Sequence, residues 1–175
     1  MSPDLRERAR SVQLLVLDVD GVLTDGRLYY GVNGDELKAF HIRDGLGLKM
    51  LRATGVEVAI VTGRTSRAVE LRAENLGLPY VFQGVGDKLA VFEQLLKRLT
   101  LSPAAAAAMG DDLPDLPVLR RCGFAACVPE APALVRSHSH YVADRPGGAG
   151  AVRELCELVM TAKGTLEACM QEYLK

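Results

Sequence analysis

Residues 12–25 read VQLLVLDVDGVLTD. A short apolar run, Val12 to Leu17, breaks at Asp18 into an acidic, glycine-bearing turn, the pattern of a parallel strand buried on both faces. A second run of this kind, VEVAIVT at 56–62, stops at Gly63. A third is less obvious. Ala104 to Ala108 are five alanines whose intrinsic preference is helical. Pro103 and Gly110 leave room for little more than one helical turn there, and an α/β alternation calls for a strand leading into Gly110-Asp111-Asp112.

Around these runs the punctuation is regular. Asp44 is placed to cap a helix that stops near Gly55, and Thr65 or Ser66 one that stops at Gly77. Asp87 to Leu99 carries Leu89, Phe92, Leu95, Leu96 and Leu99 on one side of a helix. Short strands are predicted at 80–82, 124–128 and 141–142, with a helix around Leu134 between the last two. A helix over 151–163 follows the glycine-rich joint at 147–150, and 165–174 adds another. Between the first two strands, 27–31 and 36–42 favour β structure and are joined by Val32-Asn33-Gly34-Asp35, a hairpin turn. The reading is α/β: one domain over 1–175, a three-layer Rossmann-like parallel sheet with a protruding β-hairpin (about 27–42) and a C-terminal helix and tail (about 151–175).

Composition removes several function classes. The chain has 175 residues, 49% hydrophobic, with 21 Lys and Arg against 22 Asp and Glu. That balance gives no electrostatic footprint for nucleic acid or an anionic membrane surface. No apolar run approaches the ~20 residues that span a bilayer, and the N-terminus MSPDLRERAR lacks the apolar stretch of a secretory signal. The four cysteines, Cys122, Cys127, Cys156 and Cys169, form no C-x-x-C pair and read as reduced thiols of a cytoplasmic protein.

In an open α/β sheet, ligands bind beyond the carboxyl ends of the parallel strands. The residues there are Asp18 and Asp20, Thr62 and Gly63, and Asp111, Asp112 and Asp115, with Lys88 entering from a helix start. Phosphoryl transfer through a carboxylate needs this set. A nucleophilic carboxylate divides the reaction in two. A hard divalent cation neutralises phosphate charge, and oxygens of Asp18, Asp111 and the Asp20 backbone suit magnesium. A second acid, Asp20, protonates the leaving alkoxide and later activates water. Thr62, Lys88 and the amides around Asp20, Gly21 and Gly63 hold phosphoryl oxygens. Taken singly, each residue also has an ordinary reading: turn acids for Asp18 and Asp20, a solvated lysine for Lys88, helix caps for Asp112 and Asp115. His138 and His140 lack a third partner for a metal.

The order Asp18-Val19-Asp20-Gly21-Val22-Leu23-Thr24-Asp25, Thr62, Lys88, Gly110-Asp111-Asp112 with Asp115 resembles the four motifs of the haloacid dehalogenase superfamily. The resemblance implies a magnesium-dependent phosphatase: Asp18 as nucleophile, Asp20 as acid and base, Thr62 and Lys88 on the phosphoryl group, Asp18, Asp20 and Asp111 at the metal. Asp112 and Asp115 would orient Lys88 or metal-bound water. Only about 20 residues separate Asp25 from the next helix, enough for a hairpin and too few for a cap domain.

A narrower resemblance rests on DVDGVLTDG at 18–26, FHIRDG at 40–45, Thr62-Gly63-Arg64 and GAVRE at 150–154. These are similar to phosphatases of 3-deoxy-D-manno-octulosonate 8-phosphate, an eight-carbon sugar acid phosphate. That likeness implies a homotetramer whose hairpins associate and whose sites are completed by neighbours; Tyr29, Tyr30 and Phe40 of the hairpin, costly to leave exposed, independently suit an interface. It also implies that Gly21, Gly63, Arg64, Arg72 and His41 bind substrate, Arg72 serving the adjacent subunit. Ala149 departs from the positively charged residue many members carry there. The rival readings are a phosphatase of nine-carbon sialic-type 9-phosphates, a non-catalytic regulatory or oligomerisation domain of the same fold, and a phosphoprotein phosphatase with an open cleft.

Overall fold

The structure, a computed structural model, describes residues 1–175. Eight strands and eight α-helices alternate: α1 (Pro3–Arg10), β1 (Leu14–Leu17), β2 (Tyr29–Tyr30), β3 (Glu36–Leu37), α2 (Ile42–Ala53), β4 (Glu57–Val61), α3 (Arg67–Leu76), β5 (Tyr80–Phe82), α4 (Lys88–Leu99), β6 (Ala106–Gly110), α5 (Leu116–Leu119), β7 (Phe124–Cys127), α6 (Ala133–Ser137), β8 (Tyr141–Val142), α7 (Ala151–Lys163) and α8 (Leu166–Gln171). Six strands form one parallel sheet in the order β5-β4-β1-β6-β7-β8, and β2 and β3 form a separate antiparallel hairpin. No helix is long and apolar enough to cross a membrane. No cap domain is present.

Strand β1 lies at the centre, with Leu14 paired to Glu57 on one side and Ala106 on the other. From β1 the chain first builds outward through β4 and β5, then crosses back to lay β6, β7 and β8 on the opposite side. The order therefore reverses between β1 and β6, and such a reversal opens a crevice at the carboxyl ends of the two strands. Helix α7 packs on α1 and α2, while α4 packs on α5. Right-handed crossovers place those two groups on opposite faces of the sheet. The side chains of β1, β6 and β7 are all buried.

The alanine run is a strand only from Ala106 onward, because Pro103–Ala105 close a 3-10 turn first. The hairpin is shorter than the sequence implies. Strand pairing stops at Leu37, and α2 starts at Ile42 rather than behind Asp44. The N-cap of α2 is His41, without a side-chain bond. Asp44 is buried and caps a different helix, its Oδ1 accepting from the Arg153 amide of α7 at 2.8 Å. Burial raises its pKa, against the pull of that amide.

Helix α1 was not anticipated, since its charged stretch has little apolar pattern. Its signals are local: Ser2 accepts from the Leu5 amide at 3.2 Å, Pro3 opens the first turn, and Arg8 and Arg10 close the last. The segment at 147–150 is no loose joint. The Gly148 amide donates to the Val22 carbonyl at 2.9 Å, and a Cβ at Gly147 or Gly148 would overlap the backbone of Gly21 or Thr24. Cys122, Cys127 and Cys156 are buried free thiols, and Cys169 is half-buried.

Candidate active site

The crevice between β1 and β6 receives the side chain of Asp18 from one strand end and that of Asp111 from the other. Asp18 continues the sheet, its amide donating to the Met109 carbonyl at 3.1 Å. The chain then turns sharply. Thr24, almost fully buried, organises the turn: its Oγ1 accepts from the amides of Gly21 (3.4 Å) and Gly26 (3.2 Å) and donates to the Val19 carbonyl (3.4 Å). Gly21 has φ +84°, and a Cβ there would overlap the Asp111 carboxylate. Only glycine lets this turn lie against the second strand end.

Asp115 joins the two acids, and carboxylate oxygens of Asp18, Asp111 and Asp115 all lie within 4.8 Å of one another. Lys88, the first residue of α4, reaches in with Nζ 2.9 Å from Asp18 Oδ1 and 2.7 Å from Asp115 Oδ1. The other oxygen of Asp115 accepts from the Asp111 amide at 3.0 Å, which fixes the turn carrying Asp111. Asp112 stays at the surface and accepts from the Leu113 amide at 2.8 Å, so it acts as a cap and makes no contact with Lys88.

The electrostatics are unbalanced. Burial and then the neighbouring Asp18, Asp115 and Asp112 charges push Asp111 up to about 7, and Lys88 only partly offsets this. Asp18 is raised by burial and by Asp115. Burial opposes the charge of Lys88, but the two acids outweigh it and its pKa rises. Three clustered carboxylates against one ammonium leave two negative charges, which one hard divalent cation cancels. All the donors are oxygens, the set that suits magnesium.

Asp20 is two residues from Asp18 but turns away from the cluster, toward the hairpin. Its Oδ1 pairs with the Lys38 ammonium, and Arg64 Nε lies 3.8 Å from its Oδ2. Lys38 also contacts Glu36 Oε1 at 3.0 Å, and Arg64 pairs with Glu36 Oε2. Arg64 and then Lys38 hold Glu36 below the usual carboxylate range. Burial would lower Lys38, but its bonds to Asp20 and Glu36 prevail and raise it. Sequence reasoning missed Glu36 and Lys38. A signal existed in the alternation of Glu36, Lys38 and Phe40 with Leu37 and Ala39, although sequence alone did not say which face turns toward the site.

Thr62, buried, follows β4, with its amide donating to Phe82 at 2.9 Å and its carbonyl accepting from Val85 at 3.0 Å. Gly63 beside it is exposed. Arg72 and His41 form no hydrogen bond or ion pair with the carboxylate cluster. Arg72 Nη2 donates to the His41 carbonyl at 3.2 Å and its guanidinium lies 5.8 Å from the Phe40 ring centre. His41 Nδ1 is buried without a hydrogen-bond partner. His140 Nδ1 accepts from the Ala125 amide at 2.9 Å, an edge-strand role.

Comparison with known proteins agrees with this geometry. Residues 40–123 match the family model of haloacid dehalogenase-like hydrolases. The 3-deoxy-D-manno-octulosonate 8-phosphate phosphatase KdsC of Salmonella typhimurium is 44% identical over 95% of this chain and 89% of its own. Among solved structures, the 3-deoxy-D-manno-octulosonate 8-phosphate phosphatase of Moraxella catarrhalis, in complex with magnesium, phosphate and KDO, superposes with a TM-score of 0.97. It is 40% identical, and the match covers 99% of each chain. The cobalt-bound YrbI phosphatase of Haemophilus influenzae gives 0.91 at 36% identity, covering 96% of this chain and 99% of that one. With its carboxylate crevice at the strand reversal and relatives matched along nearly their full length, the chain belongs to the KdsC family of haloacid dehalogenase-like hydrolases.

Proposed function

We propose that this protein is a magnesium-dependent phosphatase of 3-deoxy-D-manno-octulosonate 8-phosphate, working through a phospho-aspartate at Asp18. The observation that carries the reading is the Asp18, Asp111 and Asp115 cluster, short of positive charge by one divalent cation. Its likeness to relatives named for this substrate supplies the sugar. Asp18, Asp111 and the backbone carbonyl of Asp20 would hold the ion, which when bound neutralises phosphate charge.

The residues divide the work. Asp18 attacks phosphorus in line while the ester bond on the far side breaks, and Asp20 gives the leaving sugar oxygen its proton. Asp20 then takes a proton from the water that cleaves the aspartyl phosphate, releasing phosphate and regenerating Asp18. Lys88 neutralises Asp18 and anchors on Asp115, so the nucleophile stays in place without rearrangement. Thr62 and the amides of Gly21 and Gly63 receive phosphoryl oxygens. Asp115 orients Lys88, while Asp112 stabilises the turn that carries them. Arg64, half-exposed at the mouth, meets the sugar acid.

The protein works in the cytoplasm as a single-domain subunit of a homotetramer. Leu28, Tyr30, Val32 and Leu37 of the hairpin are exposed, an apolar face suited to association between copies. Arg72 and His41 serve a neighbour's substrate. Phosphate release from 3-deoxy-D-manno-octulosonate 8-phosphate, measured with and without magnesium beside a nine-carbon 9-phosphate and hexose phosphates, tests the assignment. Magnesium-dependent preference for the first is expected. Equal activity on all would remove the substrate assignment, and no activity on any would remove the enzyme reading.

A further inference from the structure

The strand leading out of the hairpin turn wears its charges on the inside. Glu36, Lys38 and Phe40 face the domain, while Leu37 and Ala39 face out. The Lys38 side chain is 1% exposed, and its ammonium is held between Asp20 Oδ1 and Glu36 Oε1. A buried ammonium is costly unless paired, yet Glu36 alone would balance its charge. The structure instead spends this lysine on Asp20 as well, and Arg64 completes a quartet of Asp20, Glu36, Lys38 and Arg64 that is neutral once Asp20 has given up its proton.

The effect is a division between two acids on one short loop. Asp18 points to the cation cluster, and the Asp20 side chain contributes no oxygen to that cluster. An Asp20 free to swing would be drawn to a bound cation as a further ligand and would no longer face the ester. We propose that Lys38 is a positioning residue: it ties the Asp20 carboxyl to the hairpin side of the crevice, where it meets the departing ester oxygen. This rests on the reading of Asp18 as nucleophile and Asp20 as acid. In the step concerned, Asp20 enters protonated, the bond from Asp18 oxygen to phosphorus forms, and the ester oxygen–phosphorus bond breaks. The proton passes from Asp20 to the leaving oxygen, which leaves an Asp20 carboxylate paired with Lys38.

Leaving-group dependence separates this role from a structural one. An alkyl ester such as the sugar acid phosphate needs the proton, whereas p-nitrophenyl phosphate, with a good leaving group, does not. The ratio kcat/KM stops at formation of the phospho-enzyme and so reports only this step. For Lys38→Met in magnesium, the expected loss of kcat/KM is at least about tenfold larger for the alkyl than for the aryl ester. The split should follow the direction of Asp20→Asn, and Lys38→Arg should recover part of it. Equal losses on both esters, or no loss, would overturn the proposal. If Lys38→Met does not fold, Glu36→Gln removes one anchor of Lys38 and should give a smaller split of the same sign, and an even loss there also refutes it. Wild-type protein that hydrolyses neither ester would overturn the reading of Asp18 itself, and the proposal with it.

Discussion

Asp111 carries the largest electrostatic cost among the acids of the crevice. Its carboxyl is pushed up to about 7 from an ordinary value of 3.8, by burial first and then by three neighbouring acids. In the folded, cation-free protein it therefore keeps a proton that the unfolded chain has already released. Stability from this group is complete below the ordinary value and is lost as pH rises toward about 7. Magnesium requires the ionised form and cancels the repulsion, so its contribution to stability changes in the opposite sense. The rise in Tm on adding magnesium should be larger at about pH 8 than at about pH 5, and EDTA should reverse it. A magnesium shift that does not grow across this range would count against a cation between Asp18 and Asp111. At this scale Asp18, Asp111, Asp115 and Lys88 were readable as residues at strand and helix ends: the three carboxylates come within 4.8 Å of one another, and Lys88 reaches Asp18 and Asp115. Lys38 and Glu36 were not, because nothing in a two-stranded hairpin's alternation says which face turns inward.

Among the elements, the strands and most helices were legible because buried parallel strands announce themselves as short apolar runs. The alanine strand β6 needed the context of the α/β alternation to overrule local propensity. The boundary of α2 was misread, since Asp44 looks like an N-cap in sequence but serves a helix more than a hundred residues away. The glycines at 147–150 show the same limit. As sequence they suggest freedom, while in space they are the thin place where one loop rests on the Asp20 loop. Gly148 has φ +63°, and a Cβ there would overlap the Thr24–Asp25 backbone. Gly148→Ala should cost about 1–3 kcal/mol in urea unfolding and lower kcat, because the strain is passed to the turn carrying Asp20. An unchanged urea midpoint and kcat would show that the packing is dispensable. A variant at an exposed helical site, such as Glu167→Ala on α8, should change neither.

On the scale of the whole molecule, an open sheet without a cap leaves its crevice facing solvent, and the hairpin is the natural place to remedy this. Its inward face belongs to the chain's own site through Lys38 and Glu36, while Tyr30, Val32 and Leu37 are exposed. Association through that outer face would fix the strand that holds Asp20. On the proposed tetrameric assembly, Tyr30→Asp combined with Leu37→Asp should lower the mass measured by light scattering toward that of a monomer, with at least about a tenfold fall in kcat/KM. Fully active monomers would instead mean that each crevice is self-sufficient. Apolar exposure was foreseeable from Tyr29 and Tyr30, although Phe40, expected at the same surface, turns inward and packs against the core.

All of this depends on Asp18 carrying the phosphoryl group, and trapping that group is the most direct test. Wild-type protein should be mixed with 3-deoxy-D-manno-octulosonate 8-phosphate and magnesium, quenched in acid within one turnover and reduced with borohydride, which converts an acyl phosphate to an alcohol. Mass spectrometry of the peptide spanning residue 18 should then find homoserine in place of Asp18. Asp20 and Asp111 should be untouched, and Asp18→Asn should give no product. Rapid phosphate release with Asp18 unmodified at every quench time, or full turnover by Asp18→Asn, would contradict the account.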